Sequence, residues 1–194
     1  EDAGEILPSR TWYPPPEGLK GLRSMPGAFL IGFTGRTVHM SEPNFPHAWS
    51  AGYDTVVDAE IVSLEVSDNN ILVTTTGLPE IITAPDPQNI SRYVIPSPQA
   101  CRSKRSLIQW GGALFYASDD GIVQVQGTTA VVISDTYIDK LTWQSWHPAT
   151  MIFAVFDNRL LVFSDNQSLQ ITMGAGSMIV VERDERVAGV YADT

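Results

Sequence analysis

The stretch Ser118-Asp119-Asp120-Gly121 sets two carboxylates beside a hydroxyl, residue types that could serve general acid–base chemistry. Glycoside hydrolysis needs its carboxylate pair held at a defined separation across a cleft, and neighbours on one turn do not supply that. The stretch also departs from the aspartate-box pattern Ser-x-Asp-x-Gly-x-Thr-Trp, because glycine follows Asp120 directly and no tryptophan arrives. It reads as a hairpin turn in which Asp and Gly supply the backbone conformations. Glu182, Asp184 and Glu185 lie among Arg183 and Arg186 and read as a solvated charged turn.

Other chemistry-bearing residues are dispersed. His39, His47 and His147 do not have the His-x-x-x-His spacing of a helical zinc site, and Cys101 is the only cysteine, so neither a metal nor an internal disulfide is expected. No Gly-x-Ser-x-Gly elbow marks a nucleophile, and Gly174-Ala-Gly176 lacks the Lys-Ser/Thr that completes a phosphate loop. The reading is therefore non-enzymatic, with no catalytic residue, cofactor or small-molecule substrate.

Two clusters remain as candidates for contact. Arg102, Lys104 and Arg105 form a basic group just before a strand, where charge discourages unwanted edge pairing or meets an acidic partner. Glu42, Pro43, Phe45, Pro46, His47 and Trp49 pack two prolines, two aromatics and a histidine into what reads as a stiff loop between strands. Such a loop either plugs the end of its sheet with Phe45 and Trp49 or presents aromatics to a neighbouring subunit.

The bulk composition limits the partners. A formal charge of -10 and a pI near 4.6 argue against a surface that grips nucleic-acid phosphates, since that takes clustered cations; passive contact with passing DNA is still allowed. With 194 residues, 43% of them hydrophobic, the chain can bury one sizeable core. No apolar run is long enough to span a membrane, and residues 1–6 show no charged start leading into an apolar leader.

The elements that must hold these residues read as strands. Residues 1–26, with Pro8, Pro14, Pro15, Pro16 and Pro26, read as a Pro-rich extended arm, and 27–194 as the folded domain. β-branched and aromatic runs between turn residues predict strands over 28–33, 37–41, 61–66, 71–75, 80–84, 91–95, 106–110, 113–117, 122–126, 130–133, 151–156, 160–164 and 168–173, with further candidates at 178–182 and 187–191. One short helix is expected near 136–146, where Thr136 and Asp139 have capping-box spacing and Ile138, Leu141 and Trp146 would share the inward side.

The strands repeat. Taking Thr37, Ile71, Ala113 and Leu160 as equivalent starts of second strands gives intervals of 34, 42 and 47 residues. Four-stranded units at that period belong to β-propeller blades, which stack because one small sheet cannot bury both of its faces alone. The expected fold is all-β, a propeller-like array of about four small antiparallel sheets, complete or part of a larger ring; a β-sandwich with irregular hairpins is the alternative.

A resemblance adds a function. Pro15-Pro16 with Gly18-Leu19 and Gly21-Leu22, Met25-Pro26-Gly27 to Gly32-Phe33, Met40-Ser41-Glu42-Pro43 with Pro46-His47-Ala48-Trp49, and Cys101-Arg102-Ser103-Lys104-Arg105-Ser106 carry it. It continues through Tyr116-Ala117-Ser118 with Asp120-Gly121, Trp143 and His147-Pro148. In order and spacing these resemble the propeller-bearing tail and tail-nozzle proteins of tailed bacteriophages. The resemblance implies a non-enzymatic virion component, made in the bacterial cytoplasm, that forms a ring with copies of itself and contacts other tail proteins around the DNA channel. The rival reading is a carbohydrate- or receptor-binding propeller.

Overall fold

The computed structural model describes residues 13–165 and 168–171, and within them the chain is a stack of antiparallel sheets. Sheet 1 holds β1 (Lys20–Ser24), β2 (Leu30–Thr34), β3 (Thr37–Glu42), β4 (Phe45–Trp49) and β5 (Thr55–Val56). Sheet 2 is β6 (Ile61–Ser67), β7 (Asn70–Thr75), β8 (Glu80–Asp86) and β9 (Asn89–Val94). Sheet 3 is β10 (Ile108–Trp110), β11 (Ala113–Ala117), β12 (Ile122–Gln126) and β13 (Thr129–Val132). Sheet 4 shows β14 (Ile152–Phe156), β15 (Arg159–Phe163) and β16 (Ser168–Ile171). Each sheet is a meander joined by short turns, and the sheets meet along their first strands: β1 adjoins β6, β6 adjoins β10, and β10 adjoins β14.

Period-two alternation explains the stacking, since successive side chains of a strand point to opposite faces. In β7, Ile71 and Val73 pack toward Phe29, Ile31, Phe33, Val38 and Met40 of sheet 1, while Leu72 packs toward Leu114, Tyr116, Val123 and Val125 of sheet 3. In β11, Phe115 and Ala117 turn the other way, toward Phe153, Leu160 and Val162 of sheet 4. Sheets 2 and 3 are thus buried on both faces, which is why their central strands read as near-continuous apolar runs. Each fully buried large side chain contributes about 1.5–3 kcal/mol.

The structure corrects the repeat. Sheet 1 begins with β1, inside the span expected to be an arm; β1 pairs with β2 across Lys20–Phe33 and Ser24–Leu30, and Tyr13 bridges to Trp49. The second strand of sheet 1 is therefore β2 and not the strand opened by Thr37. With Leu30, Asn70, Ala113 and Arg159 opening the second strands, the intervals become 40, 43 and 46 residues. The misalignment arose because prolines mask β1, whose exposed residues give no apolar run. β4 and β5 pair opposite ends of the same edge of β3 and act as one interrupted fourth strand.

The helix is shorter than expected, α1 (Lys140–Ser145), because the N-cap is Asp139, whose carboxylate accepts from the backbone N–H groups of Leu141 and Thr142 at 3.0 Å each. That phase leaves Leu141 78% exposed and buries Trp143 instead, with Ile138, between sheets 3 and 4. The proposed strands 178–182 and 187–191, Gly174-Ala-Gly176 and the Glu182–Arg186 turn lie outside the described residues.

Candidate interaction surfaces

The acidic turn between β11 and β12 is a hairpin, as its Asp-Gly chemistry suggests. Ser118 closes it by donating its N–H and its hydroxyl to the Gly121 carbonyl, both at 2.9 Å, and Gly121 has φ +153°, where a Cβ would sit 2.2 Å from Ser134 Oγ. Its carboxylates do not face each other as a catalytic pair. Arg102 donates to both oxygens of Asp119, while Lys140 Nζ lies 2.5 Å from Asp120 and Gln99 donates to the same residue at 2.9 Å. The hydrogen bond from Lys140, with that from Gln99, holds the Asp120 carboxyl below the usual aspartate range. Trp143 Nε1 donates to the Ser118 carbonyl at 2.8 Å, so the turn anchors α1.

The basic residues lie in the loop leading into β10 rather than on a sheet edge. This loop is pinned from below: Ser103 Oγ donates to the Met151 carbonyl at 2.6 Å, and Ser106 Oγ donates to the Ser103 carbonyl at 2.8 Å while accepting from Ala117 N–H at 3.0 Å. The Arg105 carbonyl accepts from Phe153 N–H at 3.1 Å, tying the loop to sheet 4. With its backbone inward, the loop directs its charged side chains to solvent: Ser103 and Ser106 are buried and Arg102, Lys104 and Arg105 are exposed. A cavity of about 460 Å³ opens there, lined by Val62, Arg102, Ser103, Lys104, Arg105, Ala149 and Thr150.

Residues 42–49 are not a loop. Glu42 pairs with Phe45 across a two-residue turn in which Asn44 takes φ +66°, and β4 runs from there. The turn needs one left-handed residue, and Asn provides it. Pro46 is tolerated because β4 carries no regular ladder over that stretch: the register slips between Ser41 and Glu42. The structure splits the expected contact set. Trp49 is 3% exposed and donates Nε1 to the Pro46 carbonyl at 3.0 Å, so it is core and not contact surface. Glu42 is half-buried and accepts from Tyr53 Oη at 3.0 Å. Phe45, Pro46 and His47 stay exposed, with the Phe45 and His47 rings edge to face at 6.2 Å, and Pro43 is half-buried beside them.

One arrangement has no signal in the sequence. His39 on β3 is buried with Nε2 2.7 Å from Thr34 Oγ1 and Nδ1 2.8 Å from Asp54 Oδ1. The three come together only because β2 and β3 form a hairpin and Ala51–Tyr53 forms a 3-10 turn that returns Asp54 to the sheet. A hydroxyl, an imidazole and a carboxylate in line fix the ring on both sides, and here they fasten the 50–55 connection to the outer face of sheet 1. His47 and His147 do not join it: His147 Nδ1 lies 2.9 Å from Asp165. Among the described residues no group of three or more His, Cys, Asp or Glu is gathered to hold a metal ion. Cys101 is buried with its sulfur 3.3 Å from the Ser103 carbonyl, and burial pushes its thiol pKa up.

The outward face of sheet 4 is the other unanticipated feature. The alternation that sends Phe153, Leu160 and Val162 inward leaves Ile152, Ala154, Phe156, Leu161 and Phe163 on the opposite side, with Arg159 across from Phe156. Phe156 is 72% exposed and the other four apolar side chains are half-buried among the described residues.

No protein-family model and no curated protein matches the chain. Solved structures do. The chain is similar to the computationally designed Ika8 protein at 13% identity, over 90% of this chain and 51% of that one, with a TM-score of 0.58. It is similar to the Cps50 (Swd1) β-propeller domain of Myceliophteria thermophila at 15% identity, over 84% and 55% of the two chains, with a TM-score of 0.55. The WD40 β-propeller domain of Doa1 matches at 14% identity, over 83% and 53%, also at 0.55. At such identities the likeness is one of fold, and the chain spans about half the length of these three structures. The chain has an all-β, propeller-like fold of four antiparallel sheets.

Proposed function

We propose that the chain is a non-enzymatic structural component of a bacteriophage tail, built into the assembly by packing a further β-sheet onto sheet 4. The observation that carries the packing part is the outward face of sheet 4. Ile152, Ala154, Phe156, Leu161 and Phe163 continue the alternation that, at three places inside the chain, lies between stacked sheets. An apolar face that repeats an internal junction is suited to a partner built the same way, and the partner proposed is another copy of the chain. The tail itself comes from the sequence resemblance. The acidic charge supports a place beside a DNA channel, because a negative wall repels the phosphate backbone and keeps passing DNA from sticking.

The experiment is immunogold electron microscopy of phage particles from a lysate of a host carrying the gene, using antibody raised against the purified chain. Label at the tail, repeated around its axis, is the expected result. Particles without label, together with robust binding on a glycan array, would overturn the reading in favour of the carbohydrate-binding one.

A further inference from the structure

The loop before β10 concentrates positive charge on a chain of net charge -10: Arg102, Lys104 and Arg105 fall within a span of four residues. Arg23 is paired with Glu65, Arg92 with Glu80 and Asp58, Arg102 with Asp119, and Lys140 with Asp120. Lys104 Nζ and the Arg105 guanidinium have no carboxylate among the described residues, although they are adjacent in sequence and line the same cavity. No carboxylate lines that cavity either. Its walls come from three sheets: Val62 from β6, Arg102–Arg105 from the loop entering β10, and Ala149 and Thr150 from the 3-10 turn before β14.

We propose that this cavity is a binding site for a small oxyanion, carboxylate or phosphate. The warrant is geometric and electrostatic. Ser103 and Ser106 hold the loop backbone from beneath, so only the two cationic side chains have to be ordered at the moment of binding. Arg105 offers a planar fork that matches two oxygens and Lys104 adds a point charge, while Arg102 stays neutralised by Asp119. The Thr150 hydroxyl donates to the His147 carbonyl at 2.8 Å and accepts from the Asp165 N–H at 3.4 Å, so it is a wall of the cavity and not a donor to the anion. Val62 and Ala149 supply an apolar wall that excludes water from one side. The volume, about 460 Å³, falls in the range that holds a small organic ligand. This site does not depend on the tail assignment.

Amide-resolved NMR titration of the full chain tests it, with inorganic phosphate in one arm and glutarate in the other. The expected result is saturable shifts confined to residues 103–106 and 149–151 in at least one arm, and which arm saturates identifies the oxyanion. In the double variant Lys104→Gln/Arg105→Gln the apparent affinity falls at least tenfold, whereas Lys140→Gln, whose ammonium serves Asp120, leaves it unchanged. Shifts that grow linearly without saturation in both arms, or a double variant that binds like the parent, overturn the proposal. Because both substituted side chains are exposed, amide dispersion should stay intact; should it not, loss of the saturable shifts on raising chloride in the parent chain is the deciding readout.

Discussion

The two ends of the stack solve the same problem in opposite ways. Each end sheet has one face with no neighbouring sheet among the described residues. Sheet 1 closes its own: Leu19 lies over Gly32, where a Cβ would come within 2.8 Å of it, and Asp54 comes back to His39. Its outward face holds Gly32, His39 and Ser41, all three buried, together with buried Trp49 opposite Ser41 and half-buried Leu30. Sheet 4 keeps an apolar outward face, with Phe156 standing free of the described core. The difference teaches that the stack is polarised. Among the described residues one end is closed by the chain's own lead-in and connections, and the other keeps a mostly apolar face.

The sharpest way to test that contrast is to compare the same residue type in both settings. Phe115→Ala, in the middle of sheet 3 with no exposure, should cost about 3–5 kcal/mol by urea denaturation, while Phe156→Ala should change stability by less than about 0.5 kcal/mol at concentrations where the chain is monomeric. Comparable losses at both positions would erase the distinction between covered and open faces.

The finished end should fail when its polar closure is broken. His39→Ala leaves Thr34 and Asp54 without their partner and should cost about 1–3 kcal/mol in thermal or urea unfolding, far more than removing exposed His47. Gly32→Ala should cost about 1–3 kcal/mol, because the new methyl meets Leu19 and the Lys20 carbonyl; the paired change Gly32→Ala/Leu19→Ala should recover part of the loss, which tells a local clash from a backbone effect. If Gly32→Ala were neutral, Leu19 would not be closing that face.

The smallest effect concerns charge. Asp120 has its folded pKa depressed, chiefly by Lys140, so its contribution is present above the unfolded value near 3.9 and is lost as pH falls through the lower folded value. The pair is solvent-exposed, which caps the contribution at about 1 kcal/mol. Asp120→Asn should therefore lower the neutral plateau by at most about 1 kcal/mol and flatten the acid limb, leaving stability below the folded value unchanged, in urea unfolding repeated across pH.

Much of this was legible in the sequence, and the misses have physical reasons. The strands of sheets 2 and 3 stood out because both faces are buried and the turns between them carry Asn-Asn, Gly-Gly or Asp-Asp-Gly. β1 was hidden because an exposed first strand beside prolines carries no hydrophobic pattern, and that one omission shifted the repeat alignment by a strand. β4 was hidden by Pro46, which a regular ladder excludes but a slipped register accepts. Trp49 had two readings in the sequence, a plug over its sheet end or a contact surface, because a large aromatic ring suits either, and its burial separates it from exposed Phe45. Leu141 and Trp143 exchanged roles because capping by Asp139 moved the helix start. Of the contact residues, Phe45, Pro46 and His47 remain exposed. The His39 line, the Arg102–Asp119 pair and the cavity at Lys104 and Arg105 depend on residues 5 to 48 positions apart and become visible only once the sheets are stacked.

The polarity of the stack, with sheet 4 as the assembling end, is tested most directly by sedimentation velocity of the full chain and of Phe156→Asp over a concentration series. The account predicts that the parent chain associates as concentration rises and that Phe156→Asp sediments as a monomer with an unchanged melting temperature. A parent chain that stays monomeric throughout, or a variant that associates as well as the parent, would contradict it.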